Sequence, residues 1–259
     1  MQARSPLKIQ IAVLHALLIR ELKTRFGAYR LGIAWAFIEP LLQIAVFMGL
    51  FYFGGRSSVG GLEIPLFLAT GIAPFLYFKK VIMQSMSAVN ANKNLLIYRQ
   101  VRVFDTFLTR FALEFVTSFI VLVVIILITW WVGYKVSLVN SLIFIYAYIL
   151  LSIIAFGLGL IFGVINTLYP EPGKFIPALL RPLMFISGTF FSINELPANA
   201  QELLLWNPLI HVFEFMRSSF SYDYDTSLLS LEYLELWALA SLTLGLLMLR
   251  ANWRKMLTQ

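Results

Sequence analysis

The chain has 259 residues and no cysteine. That excludes disulfides, zinc–thiolate sites and thiol redox chemistry. Charge is also scarce: 13% of residues are Asp, Glu, Lys or Arg, against about 25% in a soluble domain. The phosphate-cradling pattern G-x-x-x-x-G-K-[ST] is missing, so no nucleotide loop of that kind is expected. No H-E-x-x-H occurs, and the two histidines, His15 and His211, stand far apart. No nucleophile motif supports a Ser/His/Asp arrangement. Asp223-Tyr224-Asp225 has the D-x-D form of sugar transferases, but three residues are a weak signal and a solvated loop explains them. No metal site is expected, and no covalent chemistry. A signal peptide is not expected, because Lys8, His15, Arg20, Glu21, Lys23 and Arg25 interrupt the first apolar residues. Internal repeats and low-complexity tracts are absent.

What remains is apolar. Hydrophobic residues make up 60% of the chain, with 23 Phe, 11 Tyr and 6 Trp. The chain reads as an all-α membrane protein. Six stretches approach the roughly 20 residues that cross a bilayer: 31–53, 64–86, 111–133, 138–165, 175–192 and 233–249. Pro40 and Pro74 fall inside the first two, and Pro177, Pro182 and Gly188 break the fifth. Ahead of them, Leu7, Ile11, Leu14, Leu18 and Leu22 recur on one helical face, opposite Arg20 and Lys23. That pattern predicts an amphipathic helix in the membrane interface, within residues 7–30. The alternative is a cytosolic helix packed on a partner.

Lys and Arg set the orientation. Seventeen of them flank one set of span ends, from Arg4 to Arg30, Lys79 to Arg110, Lys174 with Arg181, and Arg250 to Lys255. Only Arg56, Lys135 and Arg217 fall on the other side. Both termini are therefore expected in the cytoplasm. The long outer segment begins as ANAQELLLW (198–206), a short helix. Asn207 then caps a second one, with Pro208 at its first position. This second helix is too short to span, so both are read as re-entrant helices dipping into the outer leaflet, within 195–222. The same segment is acidic, with Glu195, Glu202, Glu214, Asp223, Asp225, Glu232 and Glu235.

Three features point to function. Glu39 is an ionisable group inside a span, and its structural alternative is a partner for Lys79 or Lys80. Arg110 and Glu114, four apart, read as an intrahelical pair. Aromatic clusters on the broken spans, with Trp35, Tyr77, Phe78, Phe185, Phe190 and Phe191, read either as an interfacial belt or as a wall along which sugar rings slide. The third feature is NKNLLIYRQVR (92–102), a polar helix between greasy runs. Its Leu95, Leu96, Ile97 and Tyr98 would otherwise face water, so a protein partner is expected.

These pieces together carry a resemblance. RELKTRFGAYRLGIAWAFIEP (20–40), ANKNLLIYRQVRVFDT (91–106) and LLWNPLIHVFEFMR (204–217) follow one another. In that order they resemble the membrane subunit of second-type ABC exporters of polysaccharides, above all the capsular polysaccharide export permeases. The short tail, without an appended sugar-binding module, fits that branch. The resemblance covers nearly the whole chain. It implies a homodimer joined by two copies of a cytoplasmic ATPase, which would bind the ATP and Mg that this chain does not. It implies a coupling helix within 90–107, using Asn92, Lys93, Leu95, Leu96, Ile97, Tyr98, Arg99 and Arg102. It implies a gate helix at 7–30, with Arg20, Lys23, Arg25, Arg30 and Glu39 at the substrate entrance. Trp206, Asn207, Pro208, His211 and Phe213 would belong to a periplasmic gate. The cargo would be a lipid-linked glycan, handed to a periplasmic adaptor and an outer-membrane export protein in the bacterial envelope. No nucleic acid is implied. O-antigen or teichoic acid exporters are alternative readings. An ion-coupled carrier would call for inverted repeats and more buried acids, and a membrane enzyme for catalytic groups.

Overall fold

The computed structural model describes residues 6–26, 32–98, 100–169 and 171–257, with only the backbone for Pro6, Arg25 and Phe26. The chain is almost entirely helical. It begins with α1 (Pro6–Phe26) and α2 (Gly32–Phe53). A hairpin of β1 (Ser58–Val59) and β2 (Leu62–Glu63) leads into α3 (Ile64–Met86) and α4 (Ala88–Asn92). Then follow α5 (Val103–Trp131), α6 (Ser141–Leu168), α7 (Pro172–Ile186), α8 (Ala198–Leu204), α9 (Pro208–Ser218) and α10 (Leu231–Leu257). Among the described residues, α2, α3, α5, α6 and α10 are the 5 helices long and apolar enough to cross a membrane.

The helix α3 forms the axis. Of its most apolar window, 83% is buried, against 11% for α2. A helix apolar on every side must lie in lipid or among other helices, and α3 packs on α6, α5, α2 and α9. The helices α6 and α10 pack backbone to backbone. A Cβ on Gly157 would stand 2.4 Å from the Ser241 carbonyl carbon, and one on Gly245 would stand 2.7 Å from the Gly157 oxygen. Small residues bring membrane helices into van der Waals contact where hydrophobicity no longer drives association. The hairpin turns on Gly60 and Gly61, at φ 56 and φ 78. Two consecutive positive φ values make a turn whose twist suits a two-residue hairpin.

Two stretches are divided, the second at the residues expected to break it. The stretch 90–107 is not one helix. Asn92 donates its Nδ2 to the Ala88 carbonyl at 2.8 Å, and its backbone leaves the helical region at φ −114. A side chain bonding back four residues competes with the helix. A 3-10 turn over Lys93–Leu95 follows. The helix α5 then starts at Val103, where the Asp105 carboxylate accepts the Arg102 amide at 2.9 Å. The stretch 175–192 is likewise divided. The 15-residue α7 contains Pro177 and Pro182 and ends before Gly188, at φ 74. At 1.5 Å per residue it reaches only about 22 Å of a roughly 30 Å hydrocarbon layer.

The glycine contact is testable. Gly157→Val should cost about 1–3 kcal/mol by overpacking, seen as a lower thermal midpoint in detergent. Gly49→Ala, inside α2 with nothing within 4 Å of its Cβ, should not lower that midpoint.

Candidate coupling face and transport cavities

At the end where α1 and α4 lie, polar side chains tie three helices together. Arg110 of α5 is buried and places its Nε 2.8 Å from Glu21 Oε1 of α1. Its Nη1 donates to the Gln84 carbonyl of α3 at 2.9 Å and to Ser87 Oγ at 2.7 Å. Asn92 is buried too, and its Oδ1 accepts from Arg20 Nη1 at 2.6 Å. Arg20 Nη2 donates to the Ala91 carbonyl at 3.1 Å. Gln10 Nε2 reaches Asp105 Oδ1 at 2.6 Å. Glu21 and Arg110 are each below one tenth exposed, where an unpaired charge is costly. The contact therefore fixes α1 against α5 and α3.

From this base the turn after α4 projects outward. Leu95 and Leu96 are half-buried, and Leu96 packs on a small core that holds Val89, Val103 and Phe107. Ile97 is 82% exposed and Tyr98 64%. Lys93 and Arg102 are exposed beside them. Arg99 and Arg30, and the side chain of Arg25, lie outside the described residues. The expected coupling residues therefore divide: Asn92 points inward as an anchor, Leu96 braces the turn, and Ile97 with Tyr98 forms the exposed tip.

Two cavities open along the bundle. The inner one, about 550 Å³, is lined from α2, α3 and α5 by residues that include Trp35, Glu39, Tyr77, Lys80, Gln84 and Ser118. Lys80 Nζ stands 3.0 Å from Glu39 Oε2, the pairing expected on structural grounds. The outer one, about 480 Å³, is lined by Phe47, Phe51, Phe185, Phe190 and Phe191, with Arg56 at hand. Phe47 and Phe190 have ring centroids 4.1 Å apart, and Phe185 and Phe190 5.3 Å. Four of the expected wall aromatics thus line a cavity with most of the ring exposed or half-exposed. Tyr77 lines the inner cavity only at its edge, being 1% exposed and stacked on Tyr148. Phe78 does not line either cavity; it is buried in the main core beside Phe75, because its side of α3 faces protein.

The opposite end is closed by a second buried ion pair. Arg217 and Glu214 meet at 2.9 Å with both side chains wholly buried. Arg217 also donates to the carbonyls of Phe191 and Thr189, at 3.3 Å and 3.2 Å, and lies 3.6 Å over the Phe67 ring of α3. Glu214 accepts from Tyr224 Oη at 2.6 Å and from Ser192 Oγ at 3.1 Å. Burial pushes the Tyr224 hydroxyl well above its ordinary range, which keeps it a proton donor. Glu214 is therefore internal rather than part of the acidic outer surface. Of the expected gate residues, Trp206 is exposed and the rest are structural. Asn207 caps α9 by accepting the Leu209 amide at 3.0 Å, with Pro208 at its start. Phe213 is buried. His211 accepts the Ser230 amide on Nδ1 at 3.2 Å, so its Nε2 donates to the Leu205 carbonyl at 2.9 Å. That fixes a neutral tautomer bridging α9 to the start of α10.

Comparison with known proteins accounts for this arrangement. The family model for the ABC-2 type transporter matches residues 12–221. The chain belongs to the ABC-2 type transporter family. It is 36% identical over 256 residues to the polysialic acid transport protein KpsM of Escherichia coli, covering 99% of each chain. It is 33% identical over 251 residues to the capsule polysaccharide export inner-membrane protein BexB of Haemophilus influenzae, covering 95% of this chain and 93% of BexB. A shorter stretch of 84 residues is 31% identical to the O-antigen export system permease protein RfbA of Myxococcus xanthus, covering 32% of each.

In this ABC-2 chain the residues that sequence reading missed are the anchors. Glu21 and Arg110 are 89 positions apart, and periodicity places Arg110 beside Glu114 on its own helix. Only the rarity of charge in so apolar a chain marks them as buried and paired. Arg110→Met should lower stability by about 3–5 kcal/mol, because it leaves Glu21 buried without a counter-charge. The double change Glu21→Leu with Arg110→Met should recover most of that loss. Thermal unfolding in detergent measures both.

Proposed function

We propose that the chain is the permease of an ATP-driven exporter that carries lipid-linked capsular polysaccharide across the bacterial inner membrane. The observation that carries this reading is the full-length likeness to capsule and polysialic acid export proteins. The exposed tip at Ile97 and Tyr98 supports it, since apolar side chains held out on a braced turn form the core of a protein contact. The occupant is a separate ATPase, two copies for two copies of this chain, and that ATPase binds ATP and Mg. The permease itself hydrolyses nothing. When the motor closes on the tip, Asn92, Arg20, Glu21 and Arg110 pass the movement to α4, α1, α5 and the inner end of α3 as one body.

The membrane arrangement follows from the charge pattern. Both termini lie in the cytoplasm, with the basic residues of α1, of the turn after α4 and of α10. The short α7 continues through residues 187–192 as a broken sixth span, tolerated because Arg217 satisfies the freed carbonyls of Thr189 and Phe191. The helices α8 and α9 re-enter from the periplasmic side. Phe185, Phe190 and Phe191 form a smooth aromatic wall on the cargo's path. Lys23, exposed on α1, faces the entrance, while Arg20 serves the anchor instead. A periplasmic adaptor and an outer-membrane export protein receive the glycan. O-antigen is the second reading of the cargo, favoured by the shorter likeness to an O-antigen permease.

In cells lacking the gene, the glycan should accumulate inside, and restoring the chain should return it to the surface. Surface glycan that persists without the chain would remove the export reading. The double change Ile97→Asp with Tyr98→Asp should leave folding intact, because neither side chain is packed. Two lost interface anchors at about 2 kcal/mol each should weaken motor binding by well over tenfold, read as loss of the ATPase on co-purification and of surface glycan.

A further inference from the structure

Three elements meet in one small ring of hydrogen bonds at the end of the bundle that α8 and α9 close. His211 of α9 donates from Nε2 to the Leu205 carbonyl, just past α8, at 2.9 Å. It accepts the Ser230 amide on Nδ1 at 3.2 Å. The Ser230 hydroxyl in turn accepts the Tyr233 amide at 3.1 Å, so Ser230 caps the first turn of α10. Tyr233 closes the ring. Its hydroxyl donates to the Trp206 carbonyl at 2.7 Å, and its ring centroid lies 5.2 Å from that of His211. Every member of this ring except the imidazole is a backbone group, a serine or a tyrosine. None of those changes charge between about pH 5 and 8, and an imidazole does.

Protonation is incompatible with the ring as it stands. An imidazolium is a donor at both nitrogens. Nδ1–H would then face the Ser230 N–H, donor against donor, and turning the ring over only exchanges one donor for another. The side chain is 3% exposed, and among the described residues the charge meets no free counter-ion. Glu214 lies one turn on along α9, but Arg217, Tyr224 and Ser192 already hold it. On α8, Glu202 is exposed; on α10, Glu232 and Glu235 are exposed, and Glu235 accepts from Tyr146 of α6. The other tyrosine of α6, Tyr148, is stacked on Tyr77, and α3 carries no titratable residue before Tyr77. Burial lowers the imidazole below its ordinary value of 6.5, against smaller opposing effects of the Leu205 carbonyl and Glu214. The stability contributed by the neutral ring is therefore full above about pH 6.5, and it is lost as pH falls through the lower folded-state value.

We propose that His211 is a proton-operated latch: neutral, it holds the α8–α9 corner against the cap of α10, and protonated, it lets go of that cap. Release frees the start of α10 from the corner, while Arg217, paired with Glu214 and lying over Phe67, keeps α9 on α3. The latch stands on these bonds alone. That it answers the pH of the periplasm rests on the membrane arrangement proposed above.

The test reads single amides in the full-length chain in lipid nanodiscs, by hydrogen–deuterium exchange with fragmentation to residue level. Protection at Ser230, corrected for the intrinsic pH dependence of exchange, should be at least about threefold lower at about pH 5 than at about pH 8. His211→Asn, whose side-chain oxygen takes the place of Nδ1 and does not titrate, should give Ser230 the same protection at both pH values. His15→Gln, at the exposed second histidine on α1, should leave the fall intact. In that His15→Gln chain, nitrogen-labelled histidine reports His211 alone by NMR. Its ring should gain a proton over the same pH range in which Ser230 is released, which decides the matter even if His211→Asn does not fold. Constant protection in the wild type, a fall that persists in His211→Asn, or a ring that protonates while Ser230 stays protected would overturn the proposal. Export in cells enters none of these readings. A failed latch therefore leaves the export reading standing, and failed export leaves the latch.

Discussion

Two buried arginines grip α3 at its two ends, and the rest of the molecule is arranged around that grip. Arg217 lies over the Phe67 ring near the start of α3. Arg110 holds the Gln84 carbonyl near its end. Neither guanidinium is left to lipid or solvent: Arg110 meets Glu21 of α1, and Arg217 meets Glu214 one turn away on α9. A hydrocarbon layer hydrates nothing, so every polar group inside it needs an internal partner. The partners here come from elements that have to stay in place: α1 at one end, and α9 with the loop before α8 at the other. Breaking either pair strands a buried charge, which makes both ends cooperative with the axis.

This constraint accounts for where the molecule is rigid and where it is open. The α6–α10 contact is glycine against backbone and has no slack. The helix α2 is different. It is the least covered of the long helices, and both cavities run along it. The Glu39–Lys80 pair on its inner half is only part-buried, unlike the two clamps. A part-buried pair costs less to open than a fully desolvated one. The structure thus separates two desolvated ion pairs within the fold from one that stays part-buried at a cavity.

Much of the helical plan is legible in the sequence, because apolar run length and Lys/Arg asymmetry act locally. Asn207 as a cap and Pro208 as a first residue were readable for the same reason. The break at Pro177, Pro182 and Gly188 was readable too, since those residue types announce it. The break at Asn92 was less so: it ends α4 through its own side chain, within a mixed run that looks continuous. The functional residues divide along the same line. Trp35, Glu39 and the outer phenylalanines stand out by type and do face cavities. Phe78 has the same type but the buried side of α3, which composition does not register. The clamps were the least legible, since Glu21–Arg110 and the Ser192–Glu214–Tyr224 group join distant parts of the chain. Arg20 was read as an entrance cation when its hydrogen bonds make it a strut.

The central claim is that α1, α4 and the start of α5 move as one body when the motor acts on the exposed turn. Because the natural chain has no cysteine, spin labels can be placed singly at Ala12 on α1 and Asn90 on α4, both exposed. Double electron–electron resonance on the reconstituted complex then measures the distance between them with and without ATP bound to the partner. With labelled chains diluted into unlabelled ones to isolate the distance within one chain, the account predicts one narrow distance that is the same in both states. A distance that shifts or splits when ATP binds would contradict it.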